Sequence, residues 1–128
     1  MKNVIYLSLV AVFLFAGNAI AADMNGVWVA QNLCISGDVL PDNPEPKESR
    51  MEIIQDGIFF ITIGIYPQVG EKCGGVIIGK VIAMTCPPNQ DTGTGTIFNG
   101  ELKTPNLIEG INHVPDDGKT CSVIAVKQ

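Results

Sequence analysis

Four cysteines and a single histidine are the residues of this chain with the most chemistry open to them. Cys73 and Cys86 stand equidistant from the dipeptide Gly79-Lys80. Folding the chain back there sets Ile78 against Val81, Ile77 against Ile82, Val76 against Ala83 and Cys73 against Cys86. Glycine at the first central position of a two-residue loop is the type II′ hairpin signal, so the spacing predicts a cross-strand disulfide. Residues beside such a turn exchange hydrogen bonds, and pairs alternate outward from there. Counted from Ile78/Val81, Cys73/Cys86 falls on a non-hydrogen-bonded pair, where side chains approach most closely. The remaining cysteines, Cys34 and Cys121, are left to form the second bridge. Zinc is the rival chemistry, but the chain has no Cys-x-x-Cys pair and His113 is its only histidine.

Other chemistries can be assembled on paper and fail for stated reasons. In the strand register, His113 lies near Ser122, with Asp116 and Asp117 close in sequence. Neighbouring positions on one hairpin do not make a nucleophile in a pocket with an oxyanion site, so no catalytic residue is assigned and the protein is read as a non-enzyme. Asp116-Asp117-Gly118 and Asp91-Thr92-Gly93 lack the alternating acidic series and distant Glu of a calcium loop, and read as turns. Met24, Met51 and Met84 could be soft copper ligands, but methionines in strands more often fill gaps in a core. No metal and no cofactor are expected.

The elements that must position these cysteines follow an export signal. Met1-Lys2-Asn3 gives a short positive start, an apolar run from Val4 to Phe15 follows, and Ala19-Ile20-Ala21 supplies the cleavage pattern. Residues 1–21 therefore read as a secretory signal peptide, and 22–128 as one domain in a periplasmic or extracellular, disulfide-permissive compartment. The full chain carries 8 basic and 13 acidic residues, for a net charge of −5. Lys2 leaves with the signal, so the mature balance is 7 − 13 = −6. Such a charge disfavours nucleic acid and anionic lipid surfaces. No later segment is apolar and long enough for a membrane-spanning helix, so stable insertion after signal removal is not expected.

The mature chain reads as strands punctuated by turns. Gly26 to Asn32 forms a first strand. Ile35 to Ser49, with three prolines and the acidic Asp38, Asp42, Glu45 and Glu48, reads as a long acidic loop. Asp56-Gly57 predicts a type I′ hairpin that sets Phe60 against Ile53 and Phe59 against Ile54. Asn99-Gly100 predicts another, and Asp117-Gly118 turns the chain into a last strand. The pattern is all-β, an antiparallel up-and-down meander of about eight strands. If Cys34 and Cys121 are bonded, the ends of the meander meet, which makes a small closed or nearly closed barrel. Gly64, Gly75, Gly95 and Gly110 inside strand patterns fit bulges and bends in a curved sheet.

Gly26-Val27-Trp28 near the mature start, followed by a meander of hairpins, resembles the lipocalin-like (calycin) small secreted β-barrels, whose first strand carries Gly-x-Trp. The resemblance implies that Trp28 packs across one end and closes the barrel floor. The late arginine that stacks on that tryptophan in the family has no counterpart, since Arg50 is the only arginine. A small barrel offers an internal cavity and a rim of loops as binding surfaces. The internal one would use Ile54, Phe60, Ile77 and Ile82 for a small apolar ligand. At the rim, Asp38, Asp42, Glu45 and Glu48 would meet a cationic protein partner. The expectation is an exported, non-enzymatic binding module. The alternatives are a rim-loop inhibitor of a secreted hydrolase, such as a lysozyme or protease, and an envelope-associated structural protein.

Overall fold

Alternation is what shapes this molecule, because successive residues of a strand point to opposite faces and only one face can meet a core. The computed structural model describes residues 22–36, 45–88 and 95–128. The strands are β1 (Gly26–Ser36), β2 (Lys47–Asp56), β3 (Phe59–Tyr66), β4 (Lys72–Ile78), β5 (Val81–Cys86), β6 (Thr96–Thr104), β7 (Leu107–Val114) and β8 (Lys119–Lys127). A single 3-10 turn, Pro115–Asp117, joins the last two. Each strand pairs antiparallel with the next, and β8 pairs with β1, so the sheet is a closed barrel in sequence order. Trp28, Ile53, Phe60, Ile77, Ile82 and Phe98 point inward and are buried. Both neighbours of Ile53 face outward, and Ile54 is accordingly 45 % exposed. That removes Ile54 from the expected interior: Met51, Ile53 and Gln55 hold the inward face, and an adjacent residue cannot share it.

The Gly79-Lys80 hairpin has the anticipated register, with Ile78↔Val81, Ile77↔Ile82 and Val76↔Ala83. The hairpin between β2 and β3 differs from expectation. Asp56 pairs with Phe59, Gln55 with Phe60 and Ile53 with Thr62, so the central residues are Gly57-Ile58. Gly57 has φ +62° and, among the described residues, no non-glycine has positive φ, so a type I′ turn is not formed. Gly57 takes the first central position just as Gly79 does at the same φ, the pattern of a type II′ loop.

No turn forms at Asn99-Gly100. Asn99 is paired on both sides, to Ala83 and Ile111, and Gly100 lies between Ile82 and Gly110 within a continuous β6. Here glycine supplies room: a Cβ on Gly100 would stand 2.6 Å from the Phe98 ring, and one on Gly110 2.5 Å. The chain reverses instead at Pro105-Asn106, where Thr104 pairs with Leu107 and the Asn106 amide donates to Thr104 Oγ1 at 3.2 Å.

The acidic loop is shorter than Ile35 to Ser49. β1 continues against β8 as far as Ser36↔Lys119, and Lys47, Glu48 and Ser49 already pair with β1. Asn32 anchors this pairing by donating from Nδ2 to the Lys47 carbonyl (3.1 Å) and to Ser49 Oγ (3.0 Å). Asp38 and Asp42, and the signal segment 1–21, lie outside the described residues.

Candidate functional site: the barrel lumen

One end of the barrel is closed by the residues that precede β1. The Met24 amide donates to Gln55 Oε1 (2.7 Å), and Gln55 Nε2 donates to the Ala22 carbonyl (2.9 Å). The Gln55 amide in turn donates to Asn25 Oδ1 at 2.8 Å. Trp28 lies at this end, fully buried, with its indole Nε1 donating to the Met24 carbonyl at 2.8 Å. An indole N–H buried without an acceptor would be costly, so this bond fixes how the ring lies. Lys127, at the end of β8, places its Nζ 6.0 Å from the centre of the Trp28 ring, within cation–π reach. A lysine thus stands over Trp28, where the lipocalin-like resemblance implies an arginine. At the same end, Asp23 accepts from the Asn25 backbone amide (2.9 Å) and Asn25 Nδ2 (2.8 Å). These bonds, the backbone one first, hold its carboxyl below the usual aspartate range.

Above the floor lies a cavity of about 220 Å³. Its existence follows from residue sizes. Ala30 on β1 and Ala125 on β8 are direct cross-strand partners and both face inward, so two small side chains meet where larger ones would fill the space. Phe60 and Phe98 line the far walls, with their rings set against Gly75 and against Gly100 and Gly110. Toward the other end the lining turns polar, through Asn32, Ser49, Thr62 and Asn112, and the mouth is edged by Arg50, Tyr66 and Glu71. The Asn112 Oδ1 atom is buried with no hydrogen-bond partner.

Both disulfides belong to this mouth. Cys34–Cys121 joins β1 to β8 and Cys73–Cys86 joins β4 to β5. These seams lie four strands apart in a ring of eight, on opposite sides of the opening. The Cα separations, 3.9 and 4.3 Å, fit close, non-hydrogen-bonded pairs, as the count outward from Gly79-Lys80 required. Two disulfides are consistent with an oxidising compartment.

The remaining candidates do not gather into a site. Glu45 is exposed, and Glu48 is partnered by Arg50, whose Nε is 2.6 Å from its carboxylate. His113 pairs with Thr120, and its Nδ1 lies 2.9 Å from Thr120 Oγ1 on the outer surface. Ser122 pairs with Ile111, which makes it the diagonal neighbour of His113 on the outward face, not its direct partner. Met24 is buried, Met51 and Met84 pack against the core, and all three line the lumen among its apolar residues. Among the described residues, no three or more His, Cys, Asp or Glu side chains cluster as a metal site would require. No helix among them is long and apolar enough to cross a membrane.

Gln55, Lys127 and Asn112 were not singled out from sequence. Gln55 carried a usable signal, a polar residue on the same strand face as Met51 and Ile53, which a core tolerates only when bonded.

No protein-family model matches the chain, and no curated protein matches it. Among solved structures, the chain is similar to a redesigned beta barrel, with a TM-score of 0.52 and 11 % identity over 88 % of this chain and 95 % of that one. The chain is a closed eight-stranded β-barrel. At this identity the likeness concerns the fold alone.

Proposed function

We propose that this protein is an exported, non-enzymatic binding module, similar to lipocalin-like barrels, that holds a small apolar molecule in its lumen. The observation that carries the reading is the cavity of about 220 Å³, floored by Trp28 and Met24 and continuous with a polar mouth. Barrels of eight strands are just wide enough to fill with side chains or to hold one small ligand, and the Ala30/Ala125 pair favours the second. The signal-like segment 1–21 and the two disulfides support export. The Gly-x-Trp start and the cation of Lys127 over Trp28 support the lipocalin-like comparison.

The test is thermal unfolding with and without toluene. Toluene should raise the melting temperature of the wild type, and Ala125→Phe, which fills the lumen, should abolish the rise. An unshifted wild-type melt would sink the proposal. The rim-loop inhibitor reading predicts instead that exchanging 42–48 for a Gly/Ser linker removes binding to a cationic hydrolase without changing the toluene response.

A further inference from the structure

Among the described residues, the lumen has one buried polar atom without a hydrogen-bond partner. Asn112 on β7 faces inward between Phe98 on β6 and Cys121 on β8, and its Oδ1 is buried without a hydrogen-bond partner. An unmade bond of this kind is costly, and few native groups are left in that condition. The neighbouring collar differs: Asn32 Nδ2 is shared between the Lys47 carbonyl and Ser49 Oγ. Below Asn112 the walls are Trp28, Ala30, Ile53, Phe60 and Ala125, none with a charge. The charged lining residues, Arg50 and Glu71, stand at the mouth. A carboxylate or ammonium lodged below them would be desolvated without a counter-charge.

Resting on the lumen-binding reading above, we infer that the ligand is a small uncharged alcohol or phenol whose hydroxyl is hydrogen-bonded by Asn112. The apolar body lies over Trp28 and the hydroxyl points toward the mouth. Size follows from volume: an apolar cavity of about 150 Å³ takes benzene. The lumen, at about 220 Å³, takes one ring with a few substituent atoms. A hydroxyl both donates and accepts, so it satisfies the amide whichever of its two polar atoms faces the lumen.

The experiment is a calorimetric cycle of two ligands against two proteins: p-cresol and toluene, which differ by one hydroxyl, binding to wild type and to Asn112→Leu. Wild type should bind p-cresol at least as tightly as toluene. Asn112→Leu should weaken p-cresol about tenfold, the worth of one hydrogen bond to a buried group, while toluene binding is unchanged or tighter. Asn112→Ala, which removes the amide without adding bulk, should repeat the loss if the leucine variant does not fold. Equal effects on both ligands, or none on p-cresol, would overturn the hydroxyl assignment and leave the lumen reading standing. Failure of both ligands to bind wild type would overturn both. Benzoate, the same ring with a carboxylate, should not bind; an affinity matching that of p-cresol would refute the requirement for an uncharged ligand.

Discussion

Replacing Cys34 and Cys121 with alanine should cost this protein more than replacing Cys73 and Cys86, although each pair bridges adjacent strands at the same mouth. In the chain-entropy view, a disulfide stabilises by restricting the unfolded chain, and its effect grows with the logarithm of the loop it closes. The separations are 87 and 13 residues. Put through that relation, they give about 4.5 kcal/mol for the seam bridge and about 3 for the hairpin bridge, a gap of about 1.5 kcal/mol. Alanine is the right replacement, because Cys121 is buried and a serine hydroxyl there would add a desolvation cost of its own. Guanidinium unfolding of the two double variants, each with its other disulfide intact, would read the difference directly. At roughly 0.2 kcal/mol/K of unfolding entropy for about 100 residues, the melting points should fall by roughly 22 °C and 15 °C. The closed loop enters through the unfolded state alone, so the ranking is the sharp part. An equal or larger loss from the Cys73/Cys86 variant would refute the reasoning and move the effect into native packing at the mouth.

Gly110→Ala should destabilise by about 2 kcal/mol, because its Cβ would meet the Asn99 carbonyl and the Phe98 ring at 2.5 Å; Gly74→Ala, with nothing within 4 Å, should stay within about 0.5. Urea midpoints compare the two. Asn112→Leu should stabilise the ligand-free protein by about 1 kcal/mol, since it removes a buried unpaired oxygen, and a loss measured in urea would contradict that. Because Asp23 has its carboxyl held below the usual range, its contribution is fully present above that range and is lost as pH falls through the lowered folded value. The midpoint gap between wild type and Asp23→Asn should therefore narrow from pH 7 toward pH 3, and a gap that widened in acid would count against the assignment.

The two-residue loop at Gly79-Lys80 was legible because two independent signals agreed there, the glycine and the mirrored cysteines. At Asn99-Gly100 the same local motif misled. A glycine can mark a reversal or make space, and the second meaning appears only when Phe98, folded inward, lays its ring across β6 and β7. Asp56-Gly57 located a hairpin but placed Gly57 second in the loop where it stands first, a shift that preserves the inward face of β2. Ile53 and Ile54 show a further limit: two adjacent isoleucines carry no sign of which one faces in until the whole register is set. Of the lumen, Phe60 and Ile82 were legible as lining, but the open space between the walls was not. It depends on two alanines meeting across the β1–β8 seam, 95 positions apart in the chain, and composition does not register such a meeting.

Cys34 and Cys121 make a covalent circle of almost the whole barrel, with β2 to β7 enclosed between them. A protease that cuts one peptide bond inside that circle does not release a fragment; the two pieces remain tied through sulfur and held by strand pairs on both sides. Every connection at the mouth lies within the circle: β1 to β2, β3 to β4, β5 to β6 and β7 to β8. The face through which a ligand would pass can therefore be nicked while the barrel stays one molecule. On a gel the nick would show only after reduction.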